Sequence, residues 1–153
     1  MVTTNTQVRF VSRVLERRVS QSQDTLTHFQ SKLACETDPS DVYSDLQNGE
    51  RNFTILDARS LEAYAKRHIP GAISMPHGKI NEETTAAWPK DKLLLVYGYS
   101  PACNAAAKAA VKLASLGFTV KEMIGGIEYW NEEGYPLQRE GEPEVSFNAR
   151  VVG

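Results

Sequence analysis

The stretch that most constrains the fold runs Leu93-Leu94-Leu95-Val96-Tyr97-Gly98-Tyr99-Ser100-Pro101-Ala102-Cys103-Asn104 into an alanine-rich segment. Five apolar residues, set between Lys90-Asp91-Lys92 and a Gly/Ser/Pro cluster, read as a strand buried on both faces of a parallel sheet. Asn104 stands where a helix N-cap belongs, Ala105 to Leu116 is built of strong helix formers, and Gly117 is placed as the stop. Lys108, Lys112 and Ser115 share one face of that helix. Ala106, Ala109, Ala110, Leu113 and Leu116 form the opposite face, with small residues where it meets the sheet. A loop between a strand's carboxyl end and a helix N-terminus gathers backbone N–H groups at the positive end of the helix dipole, which makes an anion cradle. A plain strand-to-helix turn is the competing reading of this stretch alone.

The remaining segments suggest further alternation of helix and strand, so the expected class is α/β. Asp38 is placed to cap a helix that has Pro39 at its first position and Gly49 near its end, with Val42, Tyr43 and Leu46 on the buried side. Phe53 to Asp57 reads as a strand and Ser60 as the cap of a helix over Leu61 to Arg67, which puts Asp57 and Arg59 on the side where the cradle opens. Ala72 to Met75 and Phe118 to Ile124 read as strands, Lys32 to Cys35 as a short one, and Asn81 to Trp88 as a helix closed by Pro89. Gly125-Gly126 permits close backbone approach before a helix bearing Ile127, Tyr129 and Trp130, the last a core residue.

Both ends differ from this middle. Val8, Val11, Leu15 and Val19 fall on one helical face, so Val8 to Val19 is expected to be an amphipathic helix packed on its own domain or on a second subunit. An arginine-rich transit peptide is the alternative, against which Glu16 and Asp24 argue. Gln21 to Gln30 reads as a second helical piece with Leu26 and Phe29 as anchors. From Gln138 onward the chain is polar and without helical period, a mobile or draped tail. The expected division is 1–31 as a helical extension, 32–137 as the domain and 138–153 as the tail.

Charge and cysteine content narrow the function classes. A formal charge of -2 and an apolar fraction of 41% fit an ordinary globular chain and suggest neither nucleic acid nor an anionic membrane as partner. With Cys35 and Cys103 alone, and with His28, His68 and His77 scattered, neither a disulfide framework nor a metal site is indicated, and a cytoplasmic setting is expected. Cys35 reads as a small core residue.

Three further stretches, taken with the first, resemble the rhodanese family of sulfurtransferases. Leu56-Asp57-Ala58-Arg59, Glu62-Ala63-Tyr64 and His68-Ile69-Pro70-Gly71-Ala72-Ile73 are similar to its first signature. Gly125-Gly126-Ile127-Glu128-Tyr129-Trp130 with Glu133-Gly134-Tyr135-Pro136 is similar to its C-terminal one. The resemblance spans roughly Lys32 to Leu137. It implies a three-layer fold, a mostly parallel five-stranded sheet flanked by helices, with no cofactor. It also implies that the residue after Val96-Tyr97 is a catalytic cysteine carrying a persulfide; here that position is Gly98. Pro101-Ala102-Cys103-Asn104 is similar to the subgroup whose loop ends Pro-x-Cys-Asn.

The fold and the anion-binding loop from Gly98 through Tyr99, Ser100, Pro101, Ala102 and Cys103 to Asn104 carry over, while the nucleophile does not. Asp57 and Arg59 are then supporting residues that hold the loops, and His68 pins its turn rather than acting as a base. The expected ligand is a small sulfur oxyanion such as thiosulfate, with a thiol or protein as acceptor. Cys103, next to the helix N-terminus, is the substitute thiol. Two classes remain open: a sulfurtransferase that is inactive or impaired as written, and a non-catalytic module that uses the intact fold and its N-terminal helix to bind an anion or a protein. That helix also offers the contact for a homo-oligomer. A related phosphatase would need a cysteine, a longer loop and a loop arginine, all absent here.

Overall fold

The structure is a computed structural model that describes residues 7–147. By internal contacts the chain falls into two units, 1–32 and 33–153. In the first unit, residues 7–21 are irregular apart from turns, and the helix α1 (Ser22–Cys35) follows. None of residues 7–32 is buried.

The expected helix over Val8 to Val19 is therefore not formed. Arg9, Arg13 and Arg17 repel at successive four-residue spacings, four valines lower helix propensity, and a helix this short needs a packing surface to persist. The helical reading of Gln21 to Gln30 is met and exceeded, because α1 runs on through Cys35. Lys32 to Cys35 is thus the end of a helix rather than a strand; Lys, Leu and Ala are good helix formers and no β-branched residue interrupts them. Cys35 is exposed, not a core residue.

The second unit holds β1 (Glu36–Thr37), α2 (Pro39–Gln47), β2 (Phe53–Asp57), α3 (Leu61–Lys66), β3 (Ile73–Ser74), a 3-10 turn at His77–Lys79, β4 (Leu93–Tyr97), α4 (Ala105–Ser115), β5 (Val120–Met123) and α5 (Gly126–Glu132). The five strands form one sheet in the order β1-β5-β4-β2-β3, and every pairing is parallel. Parallel neighbours require crossovers, and the helices that supply them bury both faces. Alternation along the strands sorts the core into two layers. Ile55, Leu95, Tyr97 and Met123 pack with Val42 and Leu46 of α2 and Ile127 and Trp130 of α5. Leu56, Leu94 and Val96 pack with Ala106, Ala109 and Leu113 of α4.

Local chemistry sets the element boundaries. The Asp38 carboxylate accepts from Asp41 N at 2.9 Å, and the Ser60 hydroxyl accepts from Ala63 N at 3.2 Å, so both expected caps are made. Asn104 occupies the cap position of α4 but makes no side-chain cap bond, since its φ of -97° and ψ of 11° are not the extended geometry that aims a cap side chain at the first turn. Asn81 to Trp88 is a run of turns, not a helix. Asn81 and Thr84 exchange side chain-to-backbone bonds at 3.0 and 2.9 Å, and Thr85 Oγ1 donates back to Asn81 O at 2.8 Å. Such local bonds offer the backbone an alternative to the helical ladder.

Residues 138–147 are draped over the domain. Gln138 pairs with His68 in an isolated antiparallel bridge. Its side-chain amide donates to the carbonyls of Arg139, Glu142 and Pro143, and its Oε1 accepts from Val145 N at 2.6 Å. This coil delivers Phe147 to the aromatic group of Tyr43, Trp130 and Tyr135.

Candidate active-site loop

β4 ends at Tyr97, and Gly98 to Cys103 wraps from its carboxyl end to the start of α4. This is the edge where open α/β sheets place their ligands. Gly98 is buried, Cys103 is half-buried, and Tyr99, Pro101, Ala102 and Asn104 are exposed. The loop is held from two sides. Ile127 N donates to Gly98 O at 3.0 Å and Glu128 N to Tyr99 O at 2.9 Å, so the first amides of α5 fix the loop's carbonyls. The approach is as close as glycine allows, because a Cβ on Gly126 would lie 2.6 Å from Gly98 O and from Tyr99 C and O.

From inside, Ser100 ties the loop to itself. Its hydroxyl accepts from Ala102 N at 3.2 Å and its carbonyl from Cys103 N at 3.0 Å. Two of the amides expected to face a ligand are thus engaged within the loop, and Pro101 has none to give. The amides at the start of α4, which no helical carbonyl can reach, remain as donors.

Gly98 does not have a positive φ, and the space where its side chain would be is bordered closely by one movable side chain, that of Cys103. A Cβ there would lie 3.6 Å from Ala106 N and 3.3 Å from Cys103 Sγ. The position thus aims a side chain at the first turn of α4, and the Cys103 thiol lies against the same spot. These two positions, one at each end of the loop, are brought together.

Asp57 and Arg59 form a buried network with Tyr97, the residue that precedes the loop. Arg59 Nε and Nη2 donate to the two Asp57 carboxylate oxygens at 3.0 and 2.7 Å, a bidentate pair with both side chains buried. Arg59 Nη2 also donates to Arg67 O at 2.7 Å, tying β2 to the turn after α3. Burial alone would lower the Arg59 pKa, but the hydrogen bond to Asp57 and its charge outweigh burial and the direction is upward. Tyr97 OH donates to Asp57 Oδ2 at 2.7 Å and accepts from Ile69 N at 3.1 Å. Burial, then the Asp57 charge, pushes the Tyr97 hydroxyl well above its usual range. His68 is buried, stacked on Tyr64 with ring centres 3.7 Å apart, its Nδ1 2.8 Å from Tyr64 O. It pins its turn, as expected.

Tyr97 is the member of this network that the sequence did not single out. Its signal was present: a tyrosine ending an aliphatic strand buried on both faces needs a partner for its hydroxyl. The β2–β4 register sets Asp57 opposite Tyr97.

Comparison with known proteins places this arrangement. The rhodanese-like domain profile matches residues 38–133. The chain belongs to the rhodanese-like family. Among curated relatives, the thiosulfate sulfurtransferase GlpE of Coxiella burnetii is 33% identical over 82 residues, 53% of this chain and 74% of that protein. Among solved structures, the BH2092 protein of Bacillus halodurans is 45% identical, with a TM-score of 0.76 over 78% of this chain and 87% of that one. The rhodanese-like domain of the Anabaena Alr3790 protein is 30% identical, with a TM-score of 0.63 over 77% and 91%. Among the described residues there is no metal-holding cluster of His, Cys, Asp and Glu, and no helix is long and apolar enough to cross a membrane.

Proposed function

We propose that this rhodanese-like domain is of the sulfurtransferase type, with its sulfur-carrying position occupied by Gly98, and is inactive or impaired as written. In that reaction a thiolate attacks the sulfane sulfur of a donor such as thiosulfate. The donor's S–S bond breaks, sulfite leaves with the electron pair, and the enzyme holds a persulfide. Cyanide or a thiol then attacks the outer sulfur and frees the thiolate. Glycine has no atom for the first step. The observation that carries this reading is the direction of the absent side chain: a Cβ on Gly98 aims at Ala106 N, 3.6 Å away at the positive end of α4. A thiol there gains what favours thiolate, and the same amides meet the charge on departing sulfite. The reading includes weak binding of small oxyanions by the Gly98–Cys103 loop, a thiol or protein acceptor, and a cytoplasmic setting. The alternative is a non-catalytic module that binds an anion or a protein at the same loop.

The test is thiocyanate formation from thiosulfate and cyanide by the unmodified chain, by Gly98→Cys, and by Gly98→Cys with Cys103→Ser. Activity confined to the two Gly98→Cys proteins is expected. The double variant also relieves the 3.3 Å contact with Cys103 Sγ, so crowding cannot hide a gain. A folded but inactive pair overturns the sulfurtransferase reading in favour of the binding module. One observation favours a second reading, in which Cys103 is the working thiol: its sulfur already lies against the Gly98 position. That reading requires activity in the starting chain that Cys103→Ser abolishes.

A further inference from the structure

A groove of about 350 Å³ opens beside the loop, at the carboxyl ends of β1 and β5. Pro39, Pro101 and Gly125 form part of its lining, and Ile124 and Tyr129 stand at its side, 38% and 49% exposed. Large apolar side chains left this open, and grouped next to a ligand loop, mark a contact surface. The groove is also preformed. Proline fixes φ at two of its positions, and the Tyr129 side chain lies directly over Gly125, whose Cβ would come within 2.9 Å of Tyr129 Cβ. Little conformational entropy remains to be lost on binding.

The two charged residues that line it are both acidic. Asp38 and Glu133 line the rim. The two helices that begin at the groove add Asp41 and Asp45 on α2 and Glu128 and Glu132 on α5, and neither helix carries a lysine or arginine. An apolar floor inside an acidic border selects an apolar side chain flanked by cations.

We infer that this groove docks a protein segment in which apolar residues are interleaved with lysine or arginine, and so brings its owner to the loop through Pro101. The inference rests on the protein-binding reading for its role, but not for its test: binding is measured with no sulfur donor present, so it fails or stands independently of Gly98→Cys activity.

The probe is a fluorescein-labelled peptide alternating leucine with lysine, compared with the same peptide carrying glutamate for lysine and with one carrying serine for leucine. Anisotropy is expected to rise for the leucine–lysine peptide alone, less so at higher salt, with amide shifts centred on Ser40, Ile124 and Tyr129. Ile124→Ser and Glu133→Lys change exposed side chains and are expected to keep the melting temperature while weakening binding roughly tenfold or more. No binding, equal binding of the glutamate peptide, or shifts that map elsewhere overturn the inference. So does a dimer of the unliganded chain that Ile124→Ser dissociates, which would make the occupant a second copy.

Discussion

Two glycines at the loop show how differently the same residue type is used. Gly98 has ordinary backbone geometry, and a side chain there would meet no backbone clash, only the Cys103 sulfur at 3.3 Å. Gly126 has a φ of 65°, and its missing Cβ is what lets α5 reach the loop's carbonyls. Gly126→Ala should therefore cost about 2 kcal/mol or more in urea unfolding, from left-handed strain together with a backbone clash. Gly98→Ala should cost far less. Comparable losses would mean that the loop's seat on α5 is not set by Gly126. The close approach at Gly125-Gly126 was legible in the sequence, because paired glycines before a helix have few other uses. The position of Cys103 Sγ was not, since where a loop-end side chain points depends on the self-bonding of Ser100, which spacing does not reveal.

At the scale of elements, β2 and β4 are joined twice, by their ladder and by the buried Asp57–Arg59–Tyr97 network at their carboxyl ends. Removing the Tyr97 hydroxyl leaves the Asp57 carboxylate and Ile69 N each short of a partner, so Tyr97→Phe should cost about 2 kcal/mol near neutral pH. The folded chain holds the Tyr97 proton above the usual 10.0, burial being the main cause. The unfolded chain therefore releases that proton first. The hydroxyl's contribution is complete below about pH 10 and declines as pH rises past that value. Chemical denaturation from pH 8 to 11 should show the gap between wild type and Tyr97→Phe closing at the alkaline end; a constant gap would show that the folded state does not retain the proton. Strands with continuous apolar runs and helices with true caps were legible at this scale. Asn81 to Trp88 was not, because Asn81 and Thr84 satisfy each other's backbone, and Val8 to Val19 was not, because a periodic pattern does not supply the surface its stripe would need.

For the whole molecule, the two ends of the chain differ in what they contribute, although both read as accessory in the sequence. None of residues 7–32 is buried, and Val8, Phe10 and Val14 are 92%, 88% and 85% exposed. The tail looked polar and draped or mobile, yet Gln138 is a buried hub whose side chain donates to three carbonyls and accepts from Val145 N. That hub carries the chain back to Phe147, which meets Tyr43 and Trp130 with ring centres 6.0 and 6.5 Å apart. Composition hides this, since a single glutamine and a single phenylalanine do the anchoring among charged and small residues. Deleting residues 1–20 should therefore leave the melting temperature of the domain unchanged, and with it the number of copies per particle in solution. Ending the chain at Leu137 should lower that temperature by several degrees, through lost apolar burial and through backbone groups on His68 left without their Gln138 partners. Gln138→Ala in the full chain isolates the hub from the packing and should account for about 2 kcal/mol of the loss. Equal stability of the full and Leu137-terminated chains would show that the coil only lies on the surface, and fewer copies per particle on deleting residues 1–20 would assign the N-terminal segment to contacts between copies.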